Sequence, residues 1–374
     1  MLRFFTAGES HGEELTAILE GMPSGIHLSI DDINFELSRR QRGFGSSERM
    51  KLEHDTIKIT SGVTNDVTTG TPIALHIKNK DNRTGQKSIP LTIPRPGHAD
   101  YSAAIKYKYN DFRLSLERAS ARETAMRVAI GAICRQLLKN FNILIGGFVR
   151  SIGNCSIGHI EGSYPELWQR AENNSFRCPD SFVSASMQQT VEIAQKKGDS
   201  LGGIGEVNAI RVPVGLGSHV LYDRRLDAKI AMAMMSIPSI KGIEIGDAFD
   251  NAKLYGSEVH DALYLEENEV YRHSNHAGGI EGGISNGSPI IVRCAIKPIP
   301  TLLCGIDSID FASHQNTKTK YERSDTCAVP RVIPVMESML AFVLAQELCE
   351  KLGGDSLAEM KERKAWLQNK LPTM

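Results

Sequence analysis

Helical and strand-like periodicities do not alternate regularly along this chain, which argues against a doubly wound parallel sheet with its repeating βαβ rhythm. Four helical runs stand out. Residues 29–41 open with Ser29-x-x-Asp32 and place Ile30, Ile33 and Leu37 on one face. Residues 121–139 are rich in helix formers and follow Ser120-Ala-Arg-Glu123, the spacing of a capping box. Residues 226–237 are rich in Ala and Met, and 335–352 carry an apolar stripe that stops at Gly353-Gly354, as a C-cap would. Strand-like runs fall at 56–61, 72–77, 143–152, 206–214 and 289–296. The 33 glycines gather in tracts at 201–206 and 278–287, which read as long loops. An α+β or sandwich-like fold is predicted. No Pro/Ser-rich linker divides residues 1–374, so one domain is expected, although a prior of roughly 150 residues per domain suggests about two.

Composition narrows the partners. With 43 Lys and Arg against 44 Asp and Glu, the net charge of −1 argues against a protein that coats nucleic acid. Hydrophobic residues at 41% and charged residues at 23% fit a soluble globular chain and are too apolar for a disordered one. Cys134, Cys155, Cys178, Cys294, Cys304, Cys327 and Cys349 are scattered, odd in number and free of any CxxC pair. That pattern fits reduced thiols, with neither a disulfide framework nor a metal site expected. The N-terminal apolar run is too short for a signal peptide, and no stretch approaches the roughly 18 apolar residues of a spanning helix. A soluble, cytoplasmic protein without membrane or nucleic-acid partners is expected.

Five clusters carry chemistry. Gly8-Glu-Ser-His-Gly12 fences a histidine with small residues that let backbone approach a ligand, though such a histidine is often structural. Arg39, Arg40, Arg42 and Arg49 crowd a helix end and a glycine-containing loop. Their guanidinium forks suit carboxylate or phosphate, and a solvated basic face explains them equally well. In Pro94-Arg-Pro-Gly-His-Ala-Asp100 two prolines stiffen the setting of Arg95, His98 and Asp100. In Glu117-Arg-Ala-Ser-Ala-Arg-Glu-Thr124, Arg118 and Arg122 flank a helix start capped by Ser120, an arrangement suited to an anion. The tract at 278–287, with Lys297-Pro-Ile-Pro-Thr301 and Arg323, lacks the dinucleotide fingerprint but suits a flat ring or a phosphate tail. Together these clusters describe an enzyme acting on a small anionic metabolite, with a phosphorylated cofactor as an option.

In their order, Gly8–Gly12, Arg39-Arg-Gln41, Arg95–Asp100, Glu117–Thr124, Gly242-Ile-Glu-Ile-Gly-Asp247, 277–287 and Arg323-Ser-Asp325 closely resemble the chorismate synthase family, from about residue 3 to about 355. The resemblance implies a β-α-β sandwich, with a helical layer between antiparallel sheets, and a homotetramer. It implies a lyase that converts 5-enolpyruvylshikimate 3-phosphate to chorismate and phosphate by 1,4-anti elimination, using reduced FMN without net redox change. By the same likeness Arg40, Arg49, Arg95, Arg122 and Arg323 contact substrate or nearby anionic groups. His11 protonates the departing phosphate, His98 protonates or holds the flavin at N1, and Asp325 stands near N5, with Ser10 and Ser120 in support. The cofactor positions are Arg118, Ala119, Ser120, Pro238, Ser239, Gly282, Lys297, Pro298, Ile299, Pro300, Thr301 and Arg323. The flavin lends an electron transiently, leaving the protein to orient it and exclude water.

Two positions depart from the family pattern. Many members carry arginine six residues after the position of Arg40, where this chain has Ser46, with Arg42 nearby as a substitute. An amide residue followed by Ala is common where this chain has Pro238-Ser239. Two other functions fit the sequence less well: an NAD(P)H-dependent flavin reductase, which lacks a nicotinamide fingerprint here, and a phosphate- or RNA-binding module, which the neutral charge and 6% aromatic content disfavour. Ser46→Arg should leave turnover unchanged or lower the KM for substrate; steady-state kinetics showing a large loss would mean that this loop is built differently.

Overall fold

The computed structural model describes residues 1–44, 54–84, 89–266, 269–319 and 325–368. Strands β1 (Arg3–Ala7), β2 (Glu14–Glu20), β3 (Lys58–Ser61) and β4 (Ile73–Lys78) form an antiparallel sheet in the order β1-β2-β4-β3. Strands β5 (Leu144–Ile152), β6 (Cys155–Ser156), β7 (Gly203–Ile210), β8 (Ile240–Ile245) and β9 (Ile290–Ile296) form a second, ordered β8-β9-β7-β5-β6 and also antiparallel. The longer helices are α1 (Ile30–Gln41), α2 (Asp100–Tyr107), α3 (Arg113–Ala119), α4 (Thr124–Lys139), α5 (Tyr164–Glu172), α6 (Ser181–Lys197), α7 (Leu226–Met235), α8 (Val329–Leu352) and α9 (Leu357–Gln368).

The layers follow from which faces are apolar. Leu15, Ala17 and Leu19 of β2 and Ile73, Leu75 and Ile77 of β4 point inward by the two-residue period of a strand. They meet α4, whose other side packs on α8, and α8 in turn covers β5 and β7. A helical layer thus separates two antiparallel sheets, the predicted β-α-β sandwich, around one continuous apolar cluster. Helix α8 is long and apolar enough to cross a membrane, yet 89% of its most apolar window is buried in this layer.

Glycine sets the spacing of the layers. A Cβ on Gly131 of α4 would lie 2.2 Å from the Ser338 Cβ of α8, and one on Gly205 of β7 would lie 2.6 Å from Ile333. The glycines at 201–206 therefore do not all form a loop. Gly203 and Gly205 belong to β7, which runs 203–210 rather than 206–214. Helix α8 starts at Val329, six residues before the predicted start, and accommodates Pro334 although a proline there removes a backbone donor. Its almost wholly buried first turns outweigh that cost. Strands β1 and β2 escape sequence reading because their outer face carries the paired Phe5 and Ile18, 66% and 45% exposed, which erases the alternation. The predicted capping box at Ser120 is absent: Ser120 caps a 3-10 turn, Ala121–Glu123, and Glu123 turns to Thr6 and Arg127 instead.

A buried charge cluster pins the helices. Glu337 of α8 has no exposed surface and accepts from Arg39 of α1 at 2.5 and 3.1 Å and from Arg135 of α4 at 2.9 Å. Arg39 also reaches Glu36 and Glu172, and Arg177 pairs with Glu172. Burial pushes the Glu337 carboxyl up, but Arg39 and Arg135 outweigh it and hold it below its ordinary 4.5. Its contribution to stability is therefore present above that pH and lost as the pH falls. Glu337→Ala should lower the unfolding free energy by about 3–5 kcal/mol, since it strands buried guanidinium groups. Urea denaturation at pH 7 reads the loss; an unchanged midpoint would show that the cluster is not a structural tie.

Candidate active site

The loop at 8–12 is held in place by residues from three other segments. Gly8 has φ +109°, and a Cβ there would lie 2.6 Å from the Glu14 carbonyl oxygen, so only glycine enters this turn without strain. Asn79, just past β4, donates to the carbonyls of Glu9 and Gly12 at 3.1 and 2.9 Å. The Ser10 N–H donates to the carbonyl of Glu117 at 3.1 Å, and the buried Ser10 hydroxyl accepts from Ser120 at 3.2 Å. His11 meets Glu117 through Nδ1 at 2.9 Å, while its Nε2 stands 3.6 Å from Asp81. Burial raises the Glu117 carboxyl, but its bonds to His11 outweigh that and hold it below the ordinary value.

Beside this loop lies a buried arginine cluster. Arg40, at the end of α1 and 4% exposed, donates from Nε to Thr124 at 2.9 Å and from Nη2 to the Ala121 carbonyl at 2.8 Å. Its Nη1 is buried without a hydrogen-bond acceptor, 3.7 Å from Asp55. Arg122 donates to Asn79 at 2.9 Å and to Asp55 at 2.8 Å, so one asparagine links the cluster to the His11 loop. Arg331 of α8 pairs with Asp325. Burial, together with Arg331 and Arg122, lowers the Arg40 guanidinium to about 9 against the opposing pull of Asp55. Among the described residues, three arginines stand against two aspartates in this buried place, a balance that favours an incoming anion.

A third group forms where the loop at 94–100 meets the loop at 297–301. Asp100, the first residue of α2, accepts from Arg95 Nε at 2.9 Å and lies 2.5 Å from His98 Nδ1. Burial pushes Asp100 up, but the bonds from His98 and Arg95 hold its carboxyl far below the usual range. Arg95 Nη1 donates to Thr301 at 3.2 Å. Lys297 donates to the Gly97 carbonyl, and its own N–H bonds the Ser239 carbonyl at 2.9 Å. Ser239 holds φ +78°, a left-handed conformation costly for a non-glycine residue. Burial, with Lys241 nearby, lowers the Lys297 ammonium.

Several expected site residues therefore converge. Ser10, His11, Arg40, Ser120, Arg122 and Asn79 share one hydrogen-bonded neighbourhood, and Asp325 joins its edge through Arg331. His98, Arg95, Lys297, Thr301 and Ser239 form the adjoining group, with Pro298, Ile299 and Pro300 between Lys297 and Thr301. Both groups adjoin α3, whose Ser115 hydroxyl donates to the Asp100 carbonyl at 3.4 Å. Arg95 is occupied by Asp100 and Thr301, which makes it a brace for His98. Arg118 reaches back to the carbonyls of Thr6 and Gly8, at 3.0 and 3.3 Å, beside Ala119 and Ser120, so it does not join Arg122 over a helix start. Arg42 turns to Glu172 and the Phe35 ring and does not substitute at the cluster. Gly282 stands at the turn of a hairpin, 280–285, with open space where a Cβ would be. Pro238 precedes Ser239 in the turn after α7. Arg49, Arg323 and Ser46 lie outside the described residues.

Sequence reasoning missed Asp55, Asn79 and Arg331, which lie outside the motifs singled out above, and did not recognise the Glu117 carboxylate as a partner of His11. Two clefts lie off the cluster: one of about 340 Å³ between α1, α4 and β5, the other of about 760 Å³ between Pro94 and the hairpin at 307–318. Neither is lined by Arg40, Arg122 or His11.

The family model for chorismate synthase matches residues 2–349. The chain is similar to chorismate synthase of Aquifex aeolicus, 50% identical over 97% of this chain and 96% of that protein. It is 47% identical to chorismate synthase of Pelobacter propionicus, over 96% of this chain and 97% of that one. A crystal structure of a chorismate synthase superposes with a TM-score of 0.82 at 44% identity, covering 98% of this chain and 97% of that one. With the family match spanning residues 2–349 and the likeness covering nearly the whole chain, the chain belongs to the chorismate synthase family, lyases that form chorismate in the shikimate pathway.

Proposed function

We propose that the chain forms chorismate by 1,4-anti elimination of phosphate from 5-enolpyruvylshikimate 3-phosphate, with reduced FMN as a catalytic companion and as a cytoplasmic, single-domain protomer of a homotetramer. The observation that carries this reading is, among the described residues, the buried Arg40 Nη1, without an acceptor in a cluster of three arginines against two aspartates beside His11. A phosphate or carboxylate oxygen satisfies that donor and relieves the like-charge contact with Arg122 and Arg331.

In this reading Arg40 and Arg122 bind the anionic groups of the substrate, and Asp55 and Asn79 hold Arg122 in place. The C–O bond to phosphate breaks with its electron pair, and His11 delivers a proton to the leaving oxygen. The ring gives up one proton to a base at the other end of the new diene, matching the one that His11 supplies, so atoms and charge balance and no net oxidation occurs. The donor set of the second group fits a reduced flavin. A cationic Lys297 beside His98 suits an electron-rich ring edge, and the 297–301 segment approaches Gly97 closely, with 3.4 Å between Pro300 and a Cβ built there. His98, Lys297, Thr301, Ser239 and Ser120 would hold the cofactor, which when bound supplies electron density to the breaking bond. Asp100 and Arg95 keep His98 oriented. The exposed apolar pair Phe5 and Ile18 on the outer sheet face supports association of protomers.

Two outcomes are expected. Phosphate at about 100 times its dissociation constant should stabilise the chain by about 2.7 kcal/mol over chloride at equal ionic strength, read as a rise in Tm. Arg40→Met should abolish the rise; a rise that survives it would place the anion elsewhere. Under argon, with dithionite-reduced FMN and no nicotinamide, the wild type should release phosphate from the enolpyruvyl substrate. His11→Ala and His98→Ala should each do so roughly 10²–10⁴-fold more slowly with folding intact. A flavin reductase would stay idle in that assay.

A further inference from the structure

Glu117 holds His11 through three contacts. Its two carboxylate oxygens lie 2.9 and 3.0 Å from Nδ1, and Oε2 also accepts the His11 backbone N–H at 2.8 Å. An ionised carboxylate only accepts, so these distances call for a proton on Nδ1. The hold is rigid because both partners are tied elsewhere. The Glu117 carbonyl accepts the Ser10 N–H, and the next residue, Arg118, grips the carbonyls of Thr6 and Gly8. The last turn of α3 thereby clamps backbone and ring of the His11 loop together.

The other ring nitrogen has different surroundings. Nε2 is 3.6 Å from Asp81, beyond hydrogen-bond range, and Asp81 is itself paired with Arg83 at 3.0 Å. Among the described residues, the charged groups around the ring are Glu117 from α3, with Arg113 acting on it from one turn earlier, and Asp81 with Arg83 from the segment after β4.

We propose that Glu117 is a positioning residue: it keeps the proton on His11 Nδ1 and leaves Nε2 as the nitrogen whose proton moves. This rests on the acid role of His11 proposed above. When the Nε2–H bond breaks and an O–H bond forms on the departing phosphate, the ring loses its positive charge and is left as the Nδ1–H form that Glu117 already binds. No tautomer exchange is then needed before the next proton arrives at Nε2.

Full-length protein labelled with 15N-histidine tests the assignment, His11 being the signal lost in His11→Ala. At alkaline pH the wild type should show a protonated Nδ1 and an unprotonated Nε2, and Glu117→Gln should show a mixture of both forms. Kinetics with reduced FMN give a second readout. In Glu117→Gln kcat should fall roughly 10- to 10²-fold with KM little changed, and Glu117→Asp should recover part of the rate. A wild-type ring protonated on Nε2, or a kcat in Glu117→Gln equal to that of the wild type, overturns the proposal. If the nitrogen assignment holds while His11→Ala keeps the wild-type rate, the acid role of His11 fails and the hold of Glu117 on the ring stands.

Discussion

Two adjacent arginines on one helix hold the structure and its site together. Successive residues of a helix point about 100° apart, so Arg39 and Arg40 at the end of α1 face different neighbours. Arg39 enters the dry helical layer and meets Glu337, which fixes how α1 lies against α8 and α4. Arg40 is then delivered to a place where its charge is deeply buried and only partly compensated. Burial of a charge is costly unless it is paired, and the pairing of Arg39 stabilises the frame that keeps Arg40 short of a partner.

The site itself is made of loops, yet it is not loose. It draws together the 8–12 loop, the start of α4, the end of α1 and the segment after β4. Asn79 and Asp55 join them by hydrogen bonds with defined directions, a substitute for packing that also sets distances between charged groups. The second group repeats the device with Asp100 as the acceptor shared by Arg95 and His98. Each catalytic candidate histidine thus has a carboxylate at Nδ1.

Much of this was legible in the order of residues. His11, His98, Arg40 and Arg122 stand in motifs with glycine, proline or serine at fixed offsets, and local backbone geometry demands those residues. The partners were not legible in the same way. Asp55 has no motif around it, and its bond to Arg122 spans a sequence separation of 67. Arg331 falls before the helix predicted from residue 335, and its place shows only once α8 is seen to start at Val329. Arg95 was readable as a cation but not as one already engaged, because its acceptors, Asp100 and Thr301, sit 5 and 206 residues away. The early start of α8 was hidden by Pro334, since a proline signal outweighs an apolar stripe until the packing around it is known.

The contact between Gly131 and Ser338 leaves no room for even one methyl group where the two central helices cross. Interiors this dense resist compression and shear, so the middle layer behaves as a keel beneath the loops. Adjustment to an arriving guest is thereby steered to the rim, where side chains reorient over a base that keeps its shape.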